Sequence, residues 1–325
     1  MPDAAGRAAP PATHHVVQLT SLGPDADAIL ASHHHVVQWL DDGVPPDAEA
    51  LAAATVAVTS VRRGFTREML DALPALRAVC SWGVGFETLD LDAMRQRGVV
   101  FSNTPDVLDD CVADLAWGLL LARARRVTVG DRYVKEGRWR RIGEFPLSTS
   151  VSGKRMGILG LGRIGAAIAR RGTGFGMDIR YTGRAPHADQ PLQFVANLQE
   201  LAAWSDFLMV ACAGGPATRH LVNGAVLRAL GPGGIVVNVA RGSVIDQHAM
   251  IGALASGELG GAALDVIDGE PDVPRELMES DRVVLMPHVG SATVETRARM
   301  ADLVVRNVDA FLRSGALLTA VITAT

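Results

Sequence analysis

The sequence predicts an α/β protein built on parallel sheets, and three observations carry that expectation. Short β-branched runs of about four to eight residues recur along the whole chain, helical stretches alternate with them, and many of the 34 glycines fall just after the runs. The runs are 15–20, 36–40, 55–60, 76–82, 99–103, 155–159, 178–182, 207–211, 234–239, 261–264 and 282–286. They are nearly continuously apolar, as strands covered on both faces of a parallel sheet are. Helical stretches between them include 66–72, 163–172, 197–203, 225–230 and 247–256, which implies right-handed crossovers. A longer pattern over 107–129 follows the Asn103-Thr104-Pro105 stop and carries Val112, Leu115, Ala116, Leu119 and Leu120 at helical spacing. A second long pattern covers 291–313. Long helices at those two places are expected to cross between two lobes, with the last helix returning to the first. This gives lobe one as 13–104 plus 290–325, lobe two as 105–289, and an Ala/Pro tail over 1–12 outside the fold.

Composition narrows the function classes. Hydrophobic residues make up 48% of the 325 and charged residues 20%, enough apolar material for a packed core and too much for a disordered chain. The 31 Lys and Arg against 35 Asp and Glu leave a formal charge of −4, with no long basic block for nucleic acid or anionic lipid. The purest apolar run, 115–122, is far shorter than the roughly 20 residues a membrane span needs. The start of the chain has no apolar core of a signal peptide. Three cysteines, Cys80, Cys111 and Cys212, lie far apart among apolar neighbours, which is cytoplasmic usage without disulfide or metal spacing.

Gly160-Leu161-Gly162-Arg163-Ile164-Gly165 is a G-x-G-x-x-G directly after the run 155–159 and at the start of a helix. The first glycine permits a tight turn, the second a close approach to a pyrophosphate, and the third close packing of helix on strand. The helix N-terminus then offers N–H groups and partial positive charge to phosphates. In the next strand, a cofactor with a free ribose 2′-hydroxyl would call for Asp or Glu at the carboxyl end. Asp178 sits at the wrong end, Asp189 lies well beyond, and Arg184 stands where a 2′-phosphate would need a cation. The expectation is NADP, with NADPH preferred over NADH; the alternative is an ordinary solvated arginine.

Three polar residues fall just past strand ends of lobe two: Arg241, Glu270 and His288. Open α/β sheets bind ligands at those ends. The set suits reduction of a 2-oxo acid. Arginine pairs with a carboxylate and polarises the neighbouring carbonyl. Histidine delivers the proton the carbonyl oxygen needs, and a carboxylate beside it fixes the tautomer and favours the protonated donor.

These segments, with the stretch ACAGGPATRHLVN at 211–223, Asn238-Val239-Ala240-Arg241-Gly242-Ser243, the segment from Ala263-Leu264-Asp265 to Pro271, and Pro287-His288-Val289-Gly290-Ser291, resemble the D-isomer-specific 2-hydroxyacid dehydrogenase family. Within it the chain is most similar to the glyoxylate/hydroxypyruvate reductase branch. The resemblance implies Arg241 as substrate-binding and polarising residue, His288 as acid/base, Glu270 as its partner, and Asp265 at the nicotinamide end of the cofactor. Ala211, Val239, Ala240 and Gly290, in the same motifs, are expected around the dinucleotide. Trp82, Gly83, Val84 and Gly85, in Ser81-Trp82-Gly83-Val84-Gly85-Phe86-Glu87, resemble the family loop that holds the substrate carboxylate; glycines on both sides of Val84 would let its N–H groups converge on an anion. Trp82 would either wall the pocket or belong to the core. The fold implied is two Rossmann-like or flavodoxin-like lobes with the active site in the cleft between them. The expected reaction is reduction of glyoxylate, hydroxypyruvate or a similar small 2-oxo acid to a D-2-hydroxy acid. The alternatives are a non-enzymatic dinucleotide-sensing corepressor on the same fold, or a 3-phosphoglycerate dehydrogenase.

A homodimer is expected because the 107–129 helix carries more apolar surface than one lobe would cover. Trp139 is expected at a subunit or lobe contact. His33-His34-His35 reads as a strand start, whose alternating side chains cannot converge on one metal ion, so no metal site is expected. Ser148-Thr149-Ser150 lacks the strained elbow of a hydrolase nucleophile.

Overall fold

The computed structural model describes residues 15–40, 45–188 and 190–323. The expected tail over 1–12 and the start of the first lobe at 13 lie outside the described residues. The chain divides into two compact units, residues 1–107 with 297–325, and residues 108–296. The α/β class read from the strand and helix alternation holds in both.

The first unit opens with β1 (His15–Gln18), α1 (Pro24–His33), β2 (His35–Gln38), α2 (Ala48–Ala52), β3 (Val56–Ser60), α3 (Arg67–Asp71), β4 (Ala78–Trp82), α4 (Leu91–Gln96) and β5 (Val100–Ser102). Asp47, Thr66 and Asp90 precede α2, α3 and α4, and each side chain accepts the amide of the third residue onward, which satisfies a donor the helix leaves unpaired. Alternate residues of β1 serve opposite faces. Val17 packs with Leu19, Phe65, Met94 and Phe101, whereas Val16 packs with Val58, Cys80, Val304 and Val308.

The second unit begins with α5 (Asp109–Ala124), α6 (Val127–Lys135), β6 (Arg155–Leu159), α7 (Arg163–Thr173), β7 (Asp178–Thr182), β8 (Gln193–Phe194) and α8 (Leu198–Trp204). It continues with β9 (Phe207–Val210), α9 (Gly224–Leu230), β10 (Ile235–Asn238), α10 (Gln247–Ser256), β11 (Gly261–Leu264), α11 (Arg275–Met278) and β12 (Val283–Leu285). Its seven strands run β12-β11-β10-β9-β6-β7-β8, all pairings parallel. The order reverses between β6 and β9, which is the switch point of a doubly wound dinucleotide fold. The chain then forms α12 (Val294–Ser314) and β13 (Ala320–Ile322), which complete the first unit. The first unit's six strands run β13-β5-β4-β3-β1-β2, parallel except for β13 against β5. Apart from β13, that is a flavodoxin-like order. Among the described residues no helix is long and apolar enough to cross a membrane.

Two expectations need correction. The pattern over 107–129 is two helices, because Arg126 takes a left-handed φ of 56° and α6 starts afresh at Val127. The apolar face of α5 is also covered within its own unit. Val112, Ala116, Trp117, Leu119 and Leu120 are buried, and α5 packs on α7, β10 and β11. The exposed apolar surface lies further on, at Val127 and Val134 of α6 and at Trp139, Ile142 and Leu147 beyond it, with Ile142 and Leu147 95% and 97% exposed. The triple histidine is the second correction. Only His35 opens a strand; His33 closes α1 and His34 is its extended C-cap.

Trp117 locks α5 to α7 and the turn that follows it. Its Nε1 donates to the carbonyl of Ile168 at 3.1 Å and its ring stacks on Phe175 at 4.4 Å. Trp117→Ala is expected to lower the unfolding free energy by about 3–5 kcal/mol, and Trp117→Phe by much less, since it retains most of the packing. Urea titrations followed by far-UV circular dichroism would measure both.

Candidate active site

The glycine loop sits at the switch point. Gly160 follows β6 with φ of 94°, and a Cβ there would lie 2.6 Å from the Cα of Cys212, which follows β9. A Cβ on Gly165 would collide with the carbonyl of Gly160, so only glycine lets α7 begin this close to the strand. Gly162 has open space where a Cβ would stand, and α7 begins there with no side-chain cap. The first-turn amides of Arg163 and Ile164 are thus presented as an anion-binding helix start, and the cradle fits a dinucleotide pyrophosphate. Ala211 follows β9, its amide bonded to the carbonyl of Leu159 at 2.9 Å. Arg184 is exposed two residues beyond β7, the strand next to β6. Asp178 is at the opposite end of β7, and Asp189 lies outside the described residues.

Arg241, Asp265, Glu270 and His288 all follow the carboxyl ends of three neighbouring strands, β10, β11 and β12. Parallel alignment delivers all three loops to one edge of the sheet. Beyond β10, the buried Asn238 side chain donates to the carbonyl of Arg241 at 2.9 Å and accepts the amide of Ala240 at 3.0 Å. Val239 and Ala240 are buried beside it, so Arg241 leaves from a clamped backbone. The Arg241 stem lies over Gly214, where a Cβ would stand 2.6 Å from its Cγ. Gly242 meets the backbone of Ile267 and Asp268 with no space for a side chain, which binds the β10 loop to the β11 loop.

Glu270 Oε1 lies 2.5 Å from His288 Nδ1, and its Oε2 accepts the amide of Ile267 at 3.3 Å. Burial raises the Glu270 pKa, but the hydrogen bond and charge of His288, the Ile267 amide and the Arg241 charge outweigh it and hold the carboxyl below its usual range. Glu270 is therefore ionised at neutral pH, and the Nδ1 that it faces carries the proton. Nε2 is then the nitrogen available to a substrate. Asp265 is buried, and its carboxylate accepts the amides of Val289 at 2.7 Å and Gly290 at 2.9 Å. Burial nevertheless pushes its pKa up. Its own carbonyl takes the amide of His288 at 2.8 Å.

In the first unit, Trp82 ends β4 and Gly83 follows with φ of 125°. Gly83 exchanges hydrogen bonds with Thr104, and the carbonyl of Val84 accepts from Asn103 Nδ2 at 2.9 Å. Those contacts hold the loop by its carbonyls and by the Gly83 amide. The amides of Val84 and Gly85 donate to no other group among the described residues. The Trp82 ring lies beneath the Arg297 guanidinium at 4.8 Å.

Sequence reading missed Asn238 and Cys212 as parts of the site. Asn238 left a signal, a polar residue ending the apolar run Ile235-Val236-Val237. Cys212 lies in the stretch at 211–223 that carries the resemblance, but its contact with Gly160 joins two separate loops and is not visible in either alone.

The profile of the D-isomer specific 2-hydroxyacid dehydrogenase NAD binding domain matches residues 117–290. Hydroxyphenylpyruvate reductase of Plectranthus scutellarioides is 48% identical over 259 residues, covering 80% of this chain and 82% of that protein. Glyoxylate/hydroxypyruvate reductase A of Arabidopsis thaliana is 47% identical over 265 residues, 82% of this chain and 84% of its own length. Among solved structures, the NADPH-dependent glyoxylate/hydroxypyruvate reductase of Sinorhizobium meliloti, in complex with NADP and malonate, has a TM-score of 0.90 at 38% identity, covering 95% of this chain and 97% of that one. With the glycine cradle and the Arg241, Glu270 and His288 set in place, the chain belongs to the D-isomer specific 2-hydroxyacid dehydrogenase family of nicotinamide-dinucleotide oxidoreductases.

Proposed function

We propose that the protein reduces small 2-oxo acids, glyoxylate and hydroxypyruvate foremost, to D-2-hydroxy acids with NADPH as the preferred cofactor. The observation that carries this reading is the pairing of His288 Nδ1 with an ionised Glu270 beside Arg241, at the carboxyl ends of strands in the same parallel sheet as the one that leads into the glycine loop. A dinucleotide held by the glycine cradle would supply the hydride that the carbonyl carbon takes up. Arg241 pairs with the substrate carboxylate and polarises the adjacent carbonyl. His288 gives the proton on Nε2 to the carbonyl oxygen, while Glu270 holds the ring through Nδ1. The backbone of Arg163 and Ile164 with Gly160, Gly162 and Gly165 holds the pyrophosphate, and Ala211, Val239, Ala240, Asp265 and Gly290 surround the rest of the cofactor. Gly83, Val84 and Gly85 form a carboxylate-binding loop, with Trp82 limiting the side chain it accepts. In these roles the unit of residues 108–296 serves the dinucleotide, and the other unit serves the substrate.

The cofactor preference rests on Arg184, whose cation suits a 2′-phosphate, and on the Sinorhizobium meliloti relative, which is NADPH-dependent. A homodimer rests on the exposed apolar residues Val134, Trp139, Ile142 and Leu147, a patch of the kind that a second copy covers.

Oxidation of NADPH and of NADH with glyoxylate, hydroxypyruvate and 4-hydroxyphenylpyruvate tests the function directly. Turnover with none of them, while the dinucleotide still binds, would favour the corepressor alternative instead. His288→Ala is expected to reduce kcat by about 10²–10⁴-fold with dinucleotide affinity unchanged in fluorescence titration; unaltered turnover would remove the assignment. Arg184→Ala is expected to raise KM for NADPH by roughly tenfold, as the loss of one charge-assisted contact implies, and to leave KM for NADH alone. Equal effects on the two would refute the role of Arg184. Replacing Ile142 and Leu147 by Asp should convert the dimer to monomer in light scattering. A wild-type chain already monomeric at micromolar concentration would sink that part of the reading.

A further inference from the structure

We propose that His33, His34 and Asp309 form a surface site for a divalent transition-metal ion of the zinc type, which fastens the end of α1 to α12. Nothing in the reductase chemistry uses these residues, and the inference does not rest on it. The convergence comes from a change of backbone conformation. His33 is the last residue of α1, and His34 turns extended, with φ of −138° and ψ of 162°. Neighbours that would diverge on a continuous strand are thereby brought onto one carboxylate. His34 Nε2 lies 2.7 Å from Asp309 Oδ1, and His33 Nδ1 lies 3.2 Å from Asp309 Oδ2. One ligand atom from each residue falls within 4.8 Å of the others. The two rings stand at 89° to each other with centroids 5.9 Å apart, so they approach the carboxylate from different directions.

Two imidazoles and a carboxylate form a donor set of intermediate softness, which suits Zn²⁺ and, in the general order of affinities, Ni²⁺ and Cu²⁺. With metal–ligand bonds of about 2.0–2.1 Å, a tetrahedral ion spaces its ligand atoms by roughly 3.3 Å. His33 Nδ1, at 3.2 Å from Asp309 Oδ2, already matches that spacing, and the two nitrogens start within 4.8 Å of each other, while opening the 2.7 Å contact of His34 Nε2 with Oδ1 needs adjustments of about half an ångström. His33 can follow them, because its side chain is 47% exposed. The same exposure leaves the fourth position to water. Without the ion, both imidazoles stand within hydrogen-bond distance of the carboxylate. A further pair of imidazoles, His15 and His35, faces across β1 and β2 with ring centroids 4.7 Å apart, and is the competitor that a test must separate.

The test uses the untagged full chain, stripped with a chelator and titrated with ZnCl₂ by calorimetry, with melting curves in parallel. One equivalent is expected to bind and to raise Tm, reversed by chelator. His33→Ala and Asp309→Asn are each expected to weaken binding by at least about tenfold, as loss of a ligand from a three-ligand site implies, and to abolish the Tm rise. His35→Ala should bind as the parent does. His33 is exposed, so its variant is expected to keep the metal-free melting curve and to decide the matter even if Asp309→Asn loosens α12. No saturable binding by the parent chain would overturn the proposal. So would binding unchanged in His33→Ala, or binding lost instead in His35→Ala or His288→Ala.

Discussion

The amides of Val289 and Gly290 both donate to the carboxylate of Asp265, and the carbonyl of the same residue takes the amide of His288. Three consecutive residues of the β12 loop are thus pinned to the end of β11 by one buried side chain and its backbone. A buried carboxyl group is costly unless hydrogen bonds compensate it, and here burial still raises its pKa. That cost is consistent with a residue retained for positioning. His288 itself sits at φ of 54°, a left-handed conformation that a histidine adopts only when its surroundings hold it. Gly290 is required for a different, steric reason, since a Cβ there would stand 2.9 Å from Asp265 Oδ2.

Around this clamp the other parts follow from parallel pairing. Strands β10, β11 and β12 are adjacent and point the same way, so residues that follow their ends share one edge of the sheet. Asn238 sets the departure of Arg241, and Gly242 closes the β10 loop on the β11 loop. Glu270 is then placed to hold the Nδ1 side of the imidazole. Arg241 and His288 are each oriented by a neighbouring group, Asn238 and Glu270, and such support is how a scaffold maintains sub-ångström geometry.

Much of this was legible in the residues themselves. The fingerprint Gly160 to Gly165 was readable because its glycines meet steric demands that follow from chain geometry alone. Arg241, Glu270 and His288 were readable because each follows an apolar run that has to be a buried strand. The long pattern over 107–129 misled, because apolar spacing continues past Arg126 although the backbone does not. Periodicity records which side chains are buried, not whether one helix carries them. The dimer argument from that helix failed for a related reason, since α5 is covered by its own sheet and the exposed aliphatic residues lie on α6 and the segment after it. His33-His34-His35 misled because His33 closes α1 and only from His34 on is the backbone extended, so the directions that one continuous strand would impose do not apply.

The sequence by itself determined the α/β class, the place of the dinucleotide fingerprint and the identity of the polar residues at the strand ends. Those properties are local, set by the period of apolar residues and the conformational range of glycine. Only the tertiary structure decided that Glu270 meets His288 through Nδ1, that Cys212 stands against Gly160, and that Asp309 receives two adjacent imidazoles. Each of those contacts joins residues far apart along the chain, and folding alone fixes their distance.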